Sequence, residues 1–398
     1  MPGSAGGPAL RLARLTLSRF RSYAALSWRP TAPLVVLHGP NGSGKTNLLE
    51  AISLLVPGRG LRGARIADLA RRGEAAWAVA GRFLTPEGEV DVGTGTPPDG
   101  PADRRTFRLD GAAPRSQAEI AARISAVWLT PQMDRLFQEG ASGRRRFLDR
   151  LVYALEPHHA REVAAHETAM AGRNRLLAIG RADPAWLAGL EEQMARHAVA
   201  ATAARAALVA RLNAALADGA AAPFPAARLL LVSPIAERLA AEPALAVEDW
   251  LRASLGADRA RDAAAGGAAL GAHRADMALE DAGTGLAAAL ASTGQQKALL
   301  IGVVLGHAAL LAEARGFAPL LLLDEPAVHL DADRRAALFA ALLRLPAQAI
   351  LTSADRETFL PLRGLAEAWR VAEGMLDADP GFPPPRPDAS GGGGATPI

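Results

Sequence analysis

Cysteine is absent from this chain of 398 residues, which excludes disulfide bonds and thiolate metal sites. That absence suits a reducing compartment, and we expect the protein to be cytoplasmic. Lysine is nearly absent too: Lys45 and Lys297 are the only two, so arginine carries the remaining positive charge. Arginine presents a planar fork of donors, which favours phosphate recognition. The net charge of +3 says little about a nucleic-acid partner, for which local clusters matter more.

Long apolar runs are also lacking. The best candidate for a membrane span, residues 298–314, is interrupted by Gly302, Gly306 and His307 and is short for a span. We therefore interpret it as a buried helix. Arginines interrupt the apolar residues near the N-terminus, where a signal peptide needs an unbroken apolar stretch. The sequence predicts neither a membrane partner nor secretion.

One segment, residues 39–46, matches the phosphate-loop pattern G-x-x-x-x-G-K-[ST] at every fixed position. It follows an apolar run that predicts a buried strand and precedes a helical pattern. The glycines let backbone N–H groups point at phosphates, and the N-terminus of the helix faces the same anion. We expect Lys45 to reach the β- and γ-phosphates and Thr46 to bind Mg²⁺. The predicted nucleotide-binding residues here are Gly39, Pro40, Asn41, Gly42, Ser43, Gly44, Lys45, Thr46 and Asn47.

A second apolar run, four consecutive leucines, ends in Asp324 and Glu325. A buried strand at this place would deliver Asp324 to the Mg²⁺ ion, and Glu325 could polarise a water molecule for attack on the γ-phosphate. Upstream, Ser292 and Gly294 stand just before an apolar helix. A hydroxyl group and free N–H groups at a helix start form another anion-binding end, although alone this pattern is equally typical of an ordinary helix cap.

The order of these patterns predicts a nucleotide-binding domain in two halves. Strand-like patterns with Pro- and Gly-rich turns after the phosphate loop indicate an antiparallel flap. Further on, alanine, leucine, arginine and glutamate dominate at helical spacing, which indicates a helical insertion. The predicted divisions are a flexible N-terminus at 1–9, the first half of the ATPase domain at 10–141, the insertion at 142–270, the second half at 271–376 and a disordered tail at 377–398.

The ordered set of motifs resembles the head of an ABC-type ATPase and, within that class, the RecF family. The resemblance extends along nearly the whole chain to about residue 376. It departs from the family pattern at Ala272, where a proline is usual, and the switch histidine of transporter ATPases is replaced by Thr352 and Ser353. The segments that carry the resemblance are residues 17–23 (LSRFRSY), 47–52 (NLLEAI), 58–62 (GRGLR), 144–149 (RRRFLD), 271–276 (GAHRAD) and 294–297 (GQQK).

The resemblance implies an α/β fold, an ABC-type P-loop ATPase head with a mixed sheet and an antiparallel flap, split by the helical insertion. In that class two heads enclose two ATP molecules, and the signature segment of one subunit contacts the γ-phosphate bound by the other. The residue roles carried over are catalytic for Glu325, Lys45, Gln132 and Ser292, ATP-binding for Gly294, Gln295 and the D-loop residue Asp331, and Mg²⁺-binding for Thr46, Asp324 and Gln132.

The resemblance also implies a slow, DNA-stimulated ATPase used as a switch. ATP would hold a homodimer on DNA, and hydrolysis would release it, in recombinational gap repair, fork maintenance and the SOS response. The implied partners are RecO and RecR, with RecA loaded downstream on single-stranded DNA. Aromatic residues make up only 5% of the chain, so base stacking on single strands is a weak expectation and contact with double-stranded, gapped or junction DNA fits better.

Five arginines after the first helix are candidate DNA contacts. Arg59, Arg62 and Arg65 recur at a spacing of three, so one helical or turn face could carry all three toward DNA phosphates. Arg71 and Arg72 are further candidates. On charge pattern alone, a solvated basic face is an equal alternative.

Three other kinds of ATPase fit the sequence less well. A transporter subunit does not need so long an insertion between Gln132 and Ser292. An SMC-type structural ATPase needs hundreds of residues of heptads to build its arm, whereas the helical part here is a stub. A small-molecule P-loop kinase has no use for the Ser292 signature. Another SMC-like or transporter-type ABC ATPase remains the alternative.

Overall fold

The computed structural model describes residues 10–97, 100–101, 103–180 and 183–382. The predicted flexible segment 1–9 and most of the predicted tail lie outside these residues. The described strands are β1 Arg11–Phe20, β2 Tyr23–Trp28, β3 Leu34–His38, β4 Ala78–Thr85, β5 Gly88–Gly95, β6 Thr106–Leu109, β7 Ala126–Leu129, β8 Ala227–Val232, β9 Asp276–Asp281, β10 Leu320–Leu323, β11 Ala349–Ser353, β12 Glu367–Ala372 and β13 Met375–Ala378.

Helices alternate with these strands along the chain. Short 3₁₀ helices connect some of the strands and helices, and one of these, Pro131–Arg135, contains Gln132. The described α-helices are α1 Lys45–Leu55, α2 Gln117–Arg123, α3 Ala141–Leu155, α4 His159–Ile179, α5 Pro184–Ala217, α6 Pro234–Leu239, α7 Ala244–Ala257, α8 Arg259–Ala265, α9 Thr293–Arg315 and α10 Ala332–Arg344.

The chain divides into two compact units. The first runs to Met133 and resumes at Leu311, and the second is Asp134–Leu310. These limits follow packing, whereas the boundaries predicted at 142 and 270 followed a change in composition. The second unit therefore also contains the signature segment, which the sequence-based division assigned to the ATPase half. The division into domains of distinct function stays a prediction.

Two sheets build the first unit. One has the order β13-β12-β3-β11-β10-β7 and is parallel except for the β12–β13 pair. Its strands β3, β7, β10 and β11 are buried along their whole length, as expected when both faces of a parallel sheet are covered. The other sheet, β2-β1-β4-β5-β6, is antiparallel and corresponds to the predicted flap. Helix α1 contacts strands of both sheets, so the mixed sheet with a flap is confirmed.

The second unit is mainly helical, and α4 and α5 pack against each other along much of their length. Helix α5 begins with Asp183, whose side chain accepts a hydrogen bond from Ala185 N at 2.8 Å, followed by proline at the first helical position. The apolar core includes Met194, Ala198 and Leu251, which are all fully buried (0% exposed). This core holds much of the buried apolar surface of the unit.

A charged cluster is buried beside this core. Arg173 is 0% exposed and donates to Glu191 Oε1 at 2.9 Å, to Asp262 Oδ2 at 2.8 Å and to Leu255 O at 2.6 Å. Arg259 completes the cluster through Glu191, with Nη2 to Oε2 at 2.6 Å. Each buried charge thus has an opposite partner, which is the condition under which such groups are tolerated.

The predicted disordered tail begins too early. Asp377 and Ala378 belong to β13, which pairs with β12. Asp379 accepts from Arg356 Nε at 2.6 Å and bonds His38 Nε2 at 2.9 Å, and Phe382 is only 2% exposed. The prediction of disorder from 377 is therefore wrong for residues 377–382, because it rested on composition and could not see these contacts. Residues 383–398 lie outside the described part.

Two described helices, α5 and α9, are long and apolar enough to cross a membrane by length and composition. The sequence pointed only to part of α9, and 78% of the most apolar window of that helix is buried. The corresponding share for α5 is 44%. Two such helices are weak evidence for a membrane, because buried core helices meet the same criteria.

Candidate nucleotide-binding site

The phosphate loop connects the end of β3, at His38, to the start of α1, at Lys45. Gly44 has φ of 113°, and a Cβ atom there would lie 2.8 Å from both Ser22 Oγ and Tyr23 Oη. The Tyr23 hydroxyl donates to Gly44 O at 3.1 Å. A side chain at this position would therefore be strained twice, by its backbone angle and by contact. The loop keeps its shape because glycine stands where the backbone turns.

Replacing Gly39 with alanine should distort the loop. Gly39 has φ of 149°, and an added Cβ would run into the backbone carbonyl oxygen of Val371 on β12. The control is Gly58→Ala, because Gly58 also has positive φ (115°) but no atom within 4 Å of the added Cβ. Positive φ alone costs roughly 1–2 kcal/mol, so urea unfolding should show a clearly larger loss for Gly39→Ala. Equal losses would contradict this reading of the contact.

A cavity opens over the phosphate loop. It gathers six residues of the predicted nucleotide set with one carboxylate from the second predicted half, Glu325, and one arginine. Within the described residues, neither Gln132 nor Asp331 contributes to its lining. The lining residues are Asn41, Gly42, Gly44, Lys45, Thr46, Asn47, Arg62 and Glu325.

Lys45 is only 4% exposed, and its ammonium group is turned back onto the loop. Nζ donates to Gly39 O at 2.6 Å and to Pro40 O at 2.9 Å. Burial lowers the pKa of Lys45, while the nearby charges of Glu325 and Asp324 oppose that shift. A cation is thus held where phosphate oxygens would meet it.

Asp324, at the end of β10, joins the two predicted halves of the site. Its Oδ1 atom accepts hydrogen bonds from Thr46 Oγ1 at 3.0 Å and from Thr352 Oγ1 at 2.7 Å. Burial raises the pKa of Asp324, and the two hydroxyl hydrogen bonds oppose that shift. The carboxylate and the Thr46 hydroxyl supply the hard oxygen ligands that Mg²⁺ prefers. Mg²⁺ commonly uses one or two protein ligands beside phosphates and water, so this pair fits the ion.

Glu325 follows directly and adopts an unusual backbone conformation. Its φ is 48°, in the left-handed region that non-glycine residues rarely occupy. The backbone N–H of Glu325 donates to Thr352 Oγ1 at 2.9 Å, and its side chain lines the cavity. The second carboxylate therefore reaches the cavity through a turn that the surrounding structure must hold in place.

Arg62 was predicted to share a DNA-facing surface with two neighbouring arginines, and the structure shows which side chains its guanidinium group contacts. Residues 56–62 form bends and turns and residues 63–65 have no regular structure, so no helix aligns the three. Arg62 Nη1 donates to Asn47 Oδ1 at 2.8 Å and to Glu50 Oε2 at 3.1 Å. Glu50 is 1% exposed and also binds Arg21 through both carboxylate oxygens. These hydrogen bonds hold Arg62 beside the nucleotide cavity, and its role as a DNA contact stays a prediction.

The signature residues lie in the second unit and form a helix cap. Ser292 N donates to Gln295 Oε1 at 2.9 Å, and Ser292 Oγ accepts from Gln295 N at 3.4 Å. This reciprocal pattern is a capping box, which leaves the exposed Ser292 hydroxyl its proton to donate. In the first unit, Gln132 is exposed, and Asp331 caps α10 by accepting from Arg334 N at 2.8 Å.

Solved structures share this fold. The chain aligns to the recombination mediator protein RecF with ATP, in the RecFOR pathway, with a TM-score of 0.81 and 20% identity over 94% of this chain and 99% of the other. An Smc head domain from Pyrococcus furiosus aligns with a TM-score of 0.51 and 17% identity over 93% and 96%. The fold and the phosphate loop define the head of an ABC-type ATPase.

Comparison with curated protein sequences identifies the family within this class of ATPase. The RecF/RecN/SMC N terminal domain family matches residues 11–375. The DNA replication and repair protein RecF of Mesorhizobium japonicum is 46% identical over 368 residues, which cover 92% of this chain and 97% of that protein. RecF of Agrobacterium fabrum is 45% identical over 371 residues, with 92% and 98% covered. The chain belongs to the RecF family of DNA replication and repair proteins.

Proposed function

We propose that the protein binds ATP with Mg²⁺ over the phosphate loop, dimerises through the bound ATP and holds DNA until hydrolysis releases it. The observation that carries the proposal is the joining of the two predicted halves of the site at Asp324, which accepts a hydrogen bond from Thr46 at 3.0 Å, beside Glu325 in the cavity. Turnover is slow and stimulated by DNA, because ATP serves as a switch.

Each cavity residue has a role in this proposal. The loop N–H groups and Lys45 bind the β- and γ-phosphates, and Arg62 adds a second cation at the same cavity. Thr46 and Asp324 would hold Mg²⁺, with Gln132 joining when nucleotide is present, and the ion would neutralise charge on the phosphates. Glu325 orients and deprotonates the attacking water.

The dimer requires the signature segment to act on the ATP of the other subunit. Ser292, Gly294 and Gln295 stand at the start of α9, where a hydroxyl and backbone N–H groups suit a γ-phosphate. Asp331, at the start of α10, would meet the partner subunit nearby. The relatives act in DNA repair, and the solved RecF belongs to the RecFOR pathway. We therefore extend to this chain a role with RecO and RecR in loading RecA on single-stranded DNA at gaps.

Replacing Ser292 with arginine should block dimerisation while ATP binding persists. A long cation at the exposed start of α9 would obstruct a partner head without touching the phosphate loop of its own subunit. Sedimentation with ATP should show a monomer, and titration with a fluorescent ATP analogue should give a wild-type Kd. The control is Thr284→Arg, at an exposed loop position of the same unit. A normal dimer in Ser292→Arg would contradict the proposed action in trans.

Five exposed arginines remain candidates for DNA phosphates: Arg59, Arg62, Arg65, Arg71 and Arg72. Changing Arg65, Arg71 and Arg72 together to alanine should weaken duplex binding and flatten its salt dependence. The slope of log K against log salt should fall by about 1 for each lost phosphate contact. The matched control changes the same three residues to lysine, which keeps the charge. An unchanged slope in the alanine variant would assign these arginines to a solvated surface.

The decisive experiment uses Glu325→Gln, which keeps the shape of the side chain but removes its basicity. Binding to a gapped duplex and mass in solution are measured with ATP, with ADP and without nucleotide. We expect an ATP-held dimer that binds DNA tightly and dissociates when ADP replaces ATP. A protein that stays monomeric and does not bind the gapped duplex with ATP, with ADP or without nucleotide would overturn the proposed function.

A further inference from the structure

Thr352 stands where transporter ATPases carry a switch histidine, and the sequence alone assigns it no role. It lies on β11, which is paired in parallel with β10, so that Leu351 stands opposite Leu323 and Thr352 comes level with Asp324. The residue is 0% exposed. The register of the sheet therefore brings a buried hydroxyl group directly beside the two carboxylate residues that follow β10.

The hydroxyl of Thr352 connects these two residues. It donates its proton to Asp324 Oδ1 at 2.7 Å and accepts the backbone N–H of Glu325 at 2.9 Å. A hydroxyl group has a single proton. Because that proton is given to Asp324, Thr352 has none left for a phosphate oxygen, and Thr352 is not among the residues that line the cavity. These contacts suit a residue that holds Asp324 and Glu325 in place, and not one that senses the nucleotide directly.

The support acts where the backbone most needs it. Glu325 has φ of 48°, a conformation that has to be held by its surroundings. The hydrogen bond from Glu325 N to Thr352 fixes the direction in which that side chain leaves the strand. At the same time the Thr352 proton fixes the rotation of the Asp324 carboxylate, whose Oδ1 is shared with Thr46. One side chain thus sets the orientation of both acidic groups.

We propose that Thr352 is a positioning residue for ATP hydrolysis, which orients Glu325 toward the attacking water and Asp324 toward Mg²⁺ without touching the nucleotide. This inference rests on the proposed function. It assigns the chemical step, and not ATP affinity, to the Thr352 hydroxyl. Loss of the hydroxyl should therefore lower kcat while the Kd for ATP changes little.

The test compares Thr352→Val, which has nearly the same shape but no hydroxyl, with Thr352→Ser, which keeps it. We expect kcat of the valine variant to fall about tenfold or more, by the size of general-base effects, with the Kd for a fluorescent ATP analogue within about threefold of wild type. The Mg²⁺ concentration for half-maximal turnover should rise in the valine variant. The serine variant should recover kcat, and urea unfolding should confirm that both are folded. Thr352→Ala replaces valine in the comparison if the valine variant does not fold.

Three results would overturn the inference while the wild-type protein hydrolyses ATP: a valine variant with wild-type kcat, a serine variant as impaired as valine, or a Kd that rises as much as kcat falls. The last would make Thr352 a nucleotide contact. Failure of the proposed function would be distinguishable, because the wild-type protein itself would then neither bind nor hydrolyse ATP. In that case the role of Thr352 would be overturned as well.

Discussion

The Lys45→Met protein should lose its stabilisation by ATP. A hydrogen bond to a charged group contributes about 1.5–3 kcal/mol, so the affinity for ATP should fall by roughly ten- to a hundredfold. At a free ATP concentration of about 100 times its Kd, the wild-type protein gains about 2.7 kcal/mol, whereas a variant with a hundredfold weaker Kd gains about 0.4 kcal/mol. Urea unfolding with and without ATP measures this difference for each protein.

The control for that experiment is Arg108→Met, which removes an exposed positive charge from β6 of the same unit. Its gain from ATP should equal that of the wild-type protein. Because each protein is compared with itself in the absence of ATP, any effect of the substitution on folding cancels. An ATP gain in Lys45→Met equal to that of the wild type would exclude Lys45 from nucleotide binding.

Replacing Arg173 with methionine should strongly destabilise the second unit. The guanidinium is 0% exposed and bonds Glu191 and Asp262, which are 2% and 1% exposed. Its removal leaves Asp262 without that partner and Glu191 with Arg259 alone. Removing one partner of a buried ion pair typically costs about 3–5 kcal/mol, because a buried charge is left uncompensated. Urea unfolding, followed by helical circular dichroism, should show this loss.

The matched control is Arg252→Met in the same unit. Arg252 pairs with Asp249 at 2.9 Å, but the two side chains are 53% and 69% exposed. Exposed pairs contribute little, typically about 0.2–1 kcal/mol. Comparable losses in the two variants would mean that removing Arg173 does not leave a costly uncompensated charge in the buried cluster.

Sequence reasoning located the centre of the site because its signals are local. The phosphate loop is contiguous, and four leucines before Asp324 indicate a buried strand that ends in a carboxylate. Since the carboxyl ends of parallel strands meet at one edge of a sheet, the approach of Asp324 to Thr46 followed from two motifs about 280 residues apart, a spacing read from their residue numbers. Their hydrogen bond of 3.0 Å brings the two motifs together.

What sequence reasoning missed depends on register and on burial. Thr352 has no motif, and only its alignment beside Asp324 on the neighbouring strand reveals its position. Arg62 is exposed, but its hydrogen bond to Glu50, which is buried on α1, has no signal in the sequence. Strand β5 carries little strand signal in the sequence because three of its eight residues are glycine, which lowers intrinsic strand preference, whereas pairing with β4 and β6 settles its conformation.

The ion pair between Asp379 and Arg356 has a practical consequence for anyone shortening this chain. Composition suggests that everything after residue 376 can be deleted, yet Asp379 also bonds His38, the residue immediately before the phosphate loop. A truncation at 376 would strip that histidine of its carboxylate and expose the surface now covered by Phe382, which is 2% exposed. An affinity tag or fluorescent fusion should therefore be attached after Phe382, where it leaves the base of the phosphate loop intact.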